Sequence, residues 1–116
     1  MYYYMAKGSV KHIILAKDIV RYICNNFDTD LMNIDIYNYT KNKQSLYRLV
    51  AECNGKNIQT TKEVLDFELG LDKAELKYFE RNGYVFIYEG LKYEQIMYWY
   101  GYLQSKNSLS CKKNMV

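Results

Sequence analysis

The sequence predicts a mainly α domain, with four or five helices and one small β element at residues 84–88. Three observations carry that expectation. The chain has no proline, so no residue in it is barred from a helix interior. Apolar residues recur at three- and four-residue intervals through residues 10–26, 44–54, 61–82 and 91–105, the period of an amphipathic helix. Tyr84-Val85-Phe86-Ile87-Tyr88 is instead an unbroken aromatic and β-branched run that stops at Glu89-Gly90, the composition of a strand.

With 116 residues, 49% of them apolar, the chain is large enough to build one hydrophobic core without metal or disulfide staples. The expectation is one domain over residues 1–105 and a disordered basic tail over 106–116. Cys24, Cys53 and Cys111 are far apart, form no CxxC pair and share the chain with one histidine, His12. They read as reduced thiols rather than as a zinc site. No apolar run approaches the roughly 20 residues that cross a bilayer, and residues 12–16 are too short for a secretory core. The chain therefore reads as cytoplasmic, with no membrane partner. Lysine outnumbers arginine 13 to 3, and Tyr, Asn and Ile are abundant. Those residues use AT-rich codons, which points to a low-GC bacterium or one of its phages or plasmids as the source.

Along the chain, Met1 to Met5 forms an aromatic opening, either a short edge strand against residues 84–88 or a free arm. Gly8-Ser9 offers a cap, and Val10 to Asn26 is the first long helix, with Ile13, Ile14, Ala16, Ile19, Val20 and Ile23 on its apolar face. Residues 30–39 fit both a helix, through Leu31, Ile34 and Tyr37, and an alternating strand; helix is the preferred reading. Residues 40–43 make a polar turn. Residues 44–54 form a helix carrying Leu46, Leu49, Val50 and Cys53, closed by Gly55. Thr60 or Thr61 caps the next helix, with Val64, Leu65 and Leu69 on its apolar side. Gly70 breaks it and Leu71 re-enters the core. Asp72 and Glu75 form a loose capping box for a helix that carries Leu76 and Phe79 and closes at Asn82-Gly83. After the strand at 84–88, residues 91–105 form the last helix. Its core stripe is Tyr93, Ile96, Met97, Tyr100 and Leu103, while Tyr98, Trp99 and Tyr102 cover much of the rest.

The succession from Thr61 to Tyr88, with its turn at Gly70 and the segment ERNGYVFI, resembles the helix-turn-helix of winged-helix DNA-binding domains. That resemblance implies a winged-helix-like fold and a non-enzymatic regulator that binds DNA. It places the recognition helix at residues 72–82, with Lys73, Lys77, Tyr78 and Arg81 facing phosphates and base edges. Residues 41–62 add Lys41, Lys43, Arg48 and Lys56 as basic residues near DNA, with Lys62 beside them and Glu52 as the lone acid.

Charge in the motif itself runs the other way. Residues 61–83 hold four basic and six acidic side chains, which opposes phosphate binding. A second reading is therefore a phage inhibitor, anti-repressor-like or anti-CRISPR-like, that uses the same scaffold to bind a host protein. No Gly-rich phosphate loop, GxSxG elbow or Cys-His arrangement is present, so neither catalytic residues, metal ligands nor a cofactor are expected. Fourteen tyrosines and one tryptophan exceed the needs of a core this size. They suggest a homodimer through the last helix, anchored by Tyr98, Trp99 and Tyr102.

Overall fold

The turn Lys41-Asn42-Lys43-Gln44 sets the first half of the fold. Asn42 and Lys43 both take left-handed backbone angles, with φ of 52° and 64°, and this geometry has the twist of a tight hairpin. It folds Leu31–Lys41 (β2) back on Gln44–Cys53 (β3) as an antiparallel pair. Both segments were expected to be helices. Their apolar residues satisfy two periods at once, since Leu46, Leu49, Val50 and Cys53 lie at helical spacing while Tyr47, Leu49, Ala51 and Cys53 alternate. Pairing across the hairpin selects the alternation. Ile34 lies opposite Ala51 and Ile36 opposite Leu49, and all four are buried.

The computed structural model describes residues 5–7, 10–80 and 83–114. The remaining elements among them are Met5–Lys7 (β1), Val10–Asn26 (α1), Ile58–Glu68 (α2), Glu75–Glu80 (β4), Tyr84–Leu91 (β5) and Tyr93–Asn114 (α3). The strands form one antiparallel sheet in the order β1-β2-β3-β5-β4. The mainly α, winged-helix-like expectation is thereby corrected to an α/β fold. The recognition helix of the resemblance does not form. Ala74, Glu75, Leu76, Lys77 and Glu80 are good helix formers, but propensity is worth only tenths of a kcal/mol per residue. Here it yields to an in-register ladder that sets Leu76 opposite Tyr88 and Tyr78 opposite Phe86.

Other expectations survive in altered form. The helix over residues 10–26 and the strand over 84–88 are present, the strand extending to Leu91. Helix α2 begins at Asn57, which makes no side-chain capping bond, rather than at a threonine. Thr61 sits inside the helix, donating to the Asn57 carbonyl at 2.9 Å and accepting from the Asp30 amide at 2.8 Å. Gly70, at φ 65°, closes α2 as the sequence predicts, with the Leu71 amide 3.0 Å from the Asp66 carbonyl. That bond is the signature of a Schellman cap, and it returns Leu71 to the core. Strand β1 pairs with β2, not with residues 84–88; residues 1–4 lie outside the described residues. Helix α3 runs past residue 105 to Asn114.

All three helices cover one face of the sheet. Ile19 and Ile23 of α1, Leu65 of α2, and Ile96, Trp99 and Leu103 of α3 share a single buried cluster with Ile34, Leu49, Ala51 and Phe86. Trp99 is 0% exposed, and its indole N–H donates to the Leu69 carbonyl at 2.8 Å. It is a core residue, which corrects its assignment as an interface anchor. The stripe turned toward the core is Ile96, Trp99 and Leu103, while Tyr93 and Met97 are exposed. On the other face of the sheet, Tyr37, Val50, Ile87 and Phe79 carry no covering helix among the described residues. No helix among them is long and apolar enough to cross a membrane.

Candidate functional site

Strand β4 closes one edge of the sheet, and β5 is its only partner among the described residues. One side of its backbone is therefore free to pair with another strand. Alternation sends Leu76, Tyr78 and Glu80 toward the helical side and Glu75, Lys77 and Phe79 toward the open side. Tyr78 is 44% exposed and Phe79 49% exposed, so an aromatic ring stands beside the free edge on each face. Tyr78 stacks on Tyr84 at 5.8 Å and leans on Phe86 at 5.2 Å. Tyr84 can take that place because Gly55 has no side chain. A Cβ there would lie 2.1 Å from the Tyr84 ring, and φ is 112°.

On the helical side, β4 and the first turns of α2 enclose a hollow of about 190 Å³, lined by Ile58, Gln59, Lys62, Leu76, Tyr78 and Phe86. Asp30 sets the position of its α2 wall. The Asp30 carboxylate accepts from the Gly55 amide at 3.1 Å and from the Asn57 amide, which ties the start of α2 to the end of the β2–β3 hairpin. Lys62 is held by Asp66 at 2.6 Å, and Asp66 also accepts from the Tyr88 hydroxyl at 2.9 Å. Further along α2, Phe67 is 84% exposed and borders a second hollow of about 370 Å³ with Glu63, Asp66 and Asp72.

The open side is organised by charge. The Glu89 carboxylate, buried in the sheet surface, takes Lys77 Nζ at 2.8 Å and the Arg48 guanidinium beside it. Arg48 lies over the Tyr39 ring at 5.0 Å, and the Tyr39 hydroxyl accepts from the Gly90 amide at 2.9 Å. Burial alone would raise the Glu89 carboxyl, but hydrogen bonds from Lys77 and Arg48 outweigh it and hold the group below its usual range. The same carboxylate raises the Lys77 ammonium.

The residues expected to meet DNA do not gather into one basic surface. Lys41 and Lys43 sit at the tip of the β2–β3 hairpin, whereas Lys56 follows its open end. A ten-residue strand separates those ends by roughly 30 Å. Arg48 is bound in the middle of the sheet. Lys77 and Tyr78 lie on β4, two strands away from β3, and Lys73 is exposed in the loop before β4. Arg81 lies outside the described residues. Of the expected interface residues, Tyr102 is half-buried, donating to the Glu68 carboxylate and lying 3.1 Å from the Tyr22 hydroxyl. Tyr98 stacks on it at 6.1 Å and is the exposed member.

Sequence reasoning picked out Lys77 and Tyr78 on a helix, where the structure has strand β4. It missed the Glu89–Arg48 pair and Phe79 as an exposed ring. The available signal was the alternation of residues 75–80, which the helix formers hid. No protein-family model matches this chain, and no curated protein or solved structure matches it at a significant level.

Proposed function

We propose that this chain is a non-enzymatic protein-binding module that takes up an extended segment of a partner on the free edge of β4. One observation carries the reading. The edge is six residues long, has no proline and no bulge against β5, and is flanked by two exposed aromatic rings and an apolar hollow. Strand addition draws affinity from main-chain hydrogen bonds and specificity from pockets that receive alternate side chains. An incoming strand would set one apolar side chain against Leu76, Tyr78 and Phe86, and its neighbours against Phe79 on the other face. Of the two functions expected from the sequence, this keeps the protein-binding one. The DNA-binding reading lost its recognition helix.

Affinity capture from the native host tests it, using the wild type, Tyr78→Ser, Phe79→Ser and, as a distant control, Phe67→Ser. The β4 substitutions should each weaken capture of the partner about tenfold or more, and Phe67→Ser should leave it unchanged. Capture that is indifferent to both β4 changes would overturn the proposal. So would retention on duplex DNA that is strong at low salt and lost as salt rises, the mark of phosphate contacts.

A further inference from the structure

Resting on that reading, we propose that the strand which occupies the β4 edge in the isolated protein is β4 of a second copy. The two pair antiparallel across a two-fold axis at Tyr78. Edge strands invite such pairing unless something guards them, and two of the usual guards, a proline and a bulge, are missing here. Strand β4 has neither proline nor bulge. The charge of its lysine, which stays half exposed, is balanced by Glu89, 2.8 Å away on the open face. The opposite edge of the sheet, β1, is three residues long, so β4 is the longer template.

The register follows from the side chains. In an antiparallel ladder, residues directly opposite each other point to the same face. A two-fold axis perpendicular to the sheet must therefore pass where a residue meets its own copy. Only axes at Lys77 and Tyr78 pair five residues within Glu75–Glu80. The Lys77 axis sets two ammonium groups opposite each other, which is unfavourable. The Tyr78 axis sets Tyr78 against Tyr78, Lys77 against Phe79 and Leu76 against Glu80. No like charges meet, and each lysine lies beside an aromatic ring, a favourable cation–π arrangement. The interface is isologous, so one surface suffices, and the two sheets join into one that runs through both copies. Because the second copy and a foreign strand need the same backbone edge, binding a partner dissociates the dimer.

Sedimentation and light scattering at high micromolar concentration test this with charge pairs at the axis. The wild type should approach twice its 13.9 kDa chain mass. Tyr78→Glu and Tyr78→Lys alone should each weaken the dimer about tenfold, by losing an aromatic pair and opposing like charges. An equimolar mixture of the two should restore it. Phe79→Glu offers a second arm, because it sets a carboxylate opposite the second copy's Lys77 and should preserve or tighten the dimer. Circular dichroism confirms that each variant is folded. A monomeric wild type overturns the dimer but leaves strand capture standing, since capture is read from the partner assay. A dimer unaffected by either Tyr78 change, or not restored by mixing, overturns the axis at Tyr78.

Discussion

Glu89 answers for two cations on a sheet face that no helix covers among the described residues. Removing its charge would take away the carboxylate that Lys77 and the Arg48 guanidinium, its side chain 13% exposed, share, and breaking a buried ion pair from one side costs about 3 kcal/mol. Glu89→Ala should therefore lower unfolding free energy by about that much at neutral pH, read by urea titration. The folded carboxyl lies below its ordinary range, so its contribution is full above the unfolded value of about 4.3. It is lost as pH falls through the folded value. The stability gap between wild type and Glu89→Gln should accordingly be wide at pH 7 and close in acid below about pH 4. A gap that stays constant would refute the ion pair as its source. Trp99 makes a separate residue-scale case. Trp99→Phe keeps most of the apolar volume and removes the N–H bonded to Leu69, which should cost about 1 kcal/mol. Trp99→Ala should cost about 3–5 kcal/mol. Neither change should alter the oligomeric mass in sedimentation, because Trp99 is buried within its own chain.

At the scale of elements, the β2–β3 hairpin turns on two left-handed residues, of which only Asn42 is suited to that conformation. Lys43, at φ 64°, carries a side chain in a region that glycine enters without steric cost. Lys43→Gly should therefore stabilise the protein by about 0.5–1 kcal/mol, seen as a rise in melting temperature with an unchanged spectrum. Destabilisation would mean that the lysine side chain holds the turn in some other way. The same hairpin shows how much of this element was legible beforehand. The polar turn at residues 40–43 could be read directly. Residues 30–39 fit strand and helix alike, and Gln44–Cys53 reads as helix because Leu, Gln, Arg, Ala and Glu suit one locally; pairing with β2 and β5 overrules that. Strand β4 was misread for the same reason. Its helix formers face a ladder with β5, and only that ladder brings Tyr78 onto Tyr84 and Phe86.

For the whole molecule, the helices take one face of the sheet, and the other carries an ion-paired strip, the buried Tyr39 and Leu46, and half-exposed apolar side chains. Burial of Cys53 against that core pushes its thiol up to about 12, so it stays protonated and unreactive toward thiol reagents. Cys24 is exposed on α1 and should react before Cys53 in a labelling time course on the folded chain. Equal rates would show that the core opens as readily as the surface. Edge pairing through β4 belongs to this scale as well, because it depends on where the sheet stops rather than on any single side chain.

The sequence by itself determined the single core, the first helix, the strand after Gly83, the Gly70 cap and the return of Leu71 to the interior. Each of these rests on local chemistry: an apolar stripe of one period, a β-rich run without competitors, a glycine that tolerates positive φ. Tertiary structure decided the rest. It chose strand over helix wherever both periods fitted, because pairing with a neighbouring strand and packing of the sheet under the helices supply burial that no single segment's pattern encodes. It turned Trp99 inward by offering the Leu69 carbonyl at the right depth. It also made the candidate site, since a free edge exists only once strand order has placed β4 last.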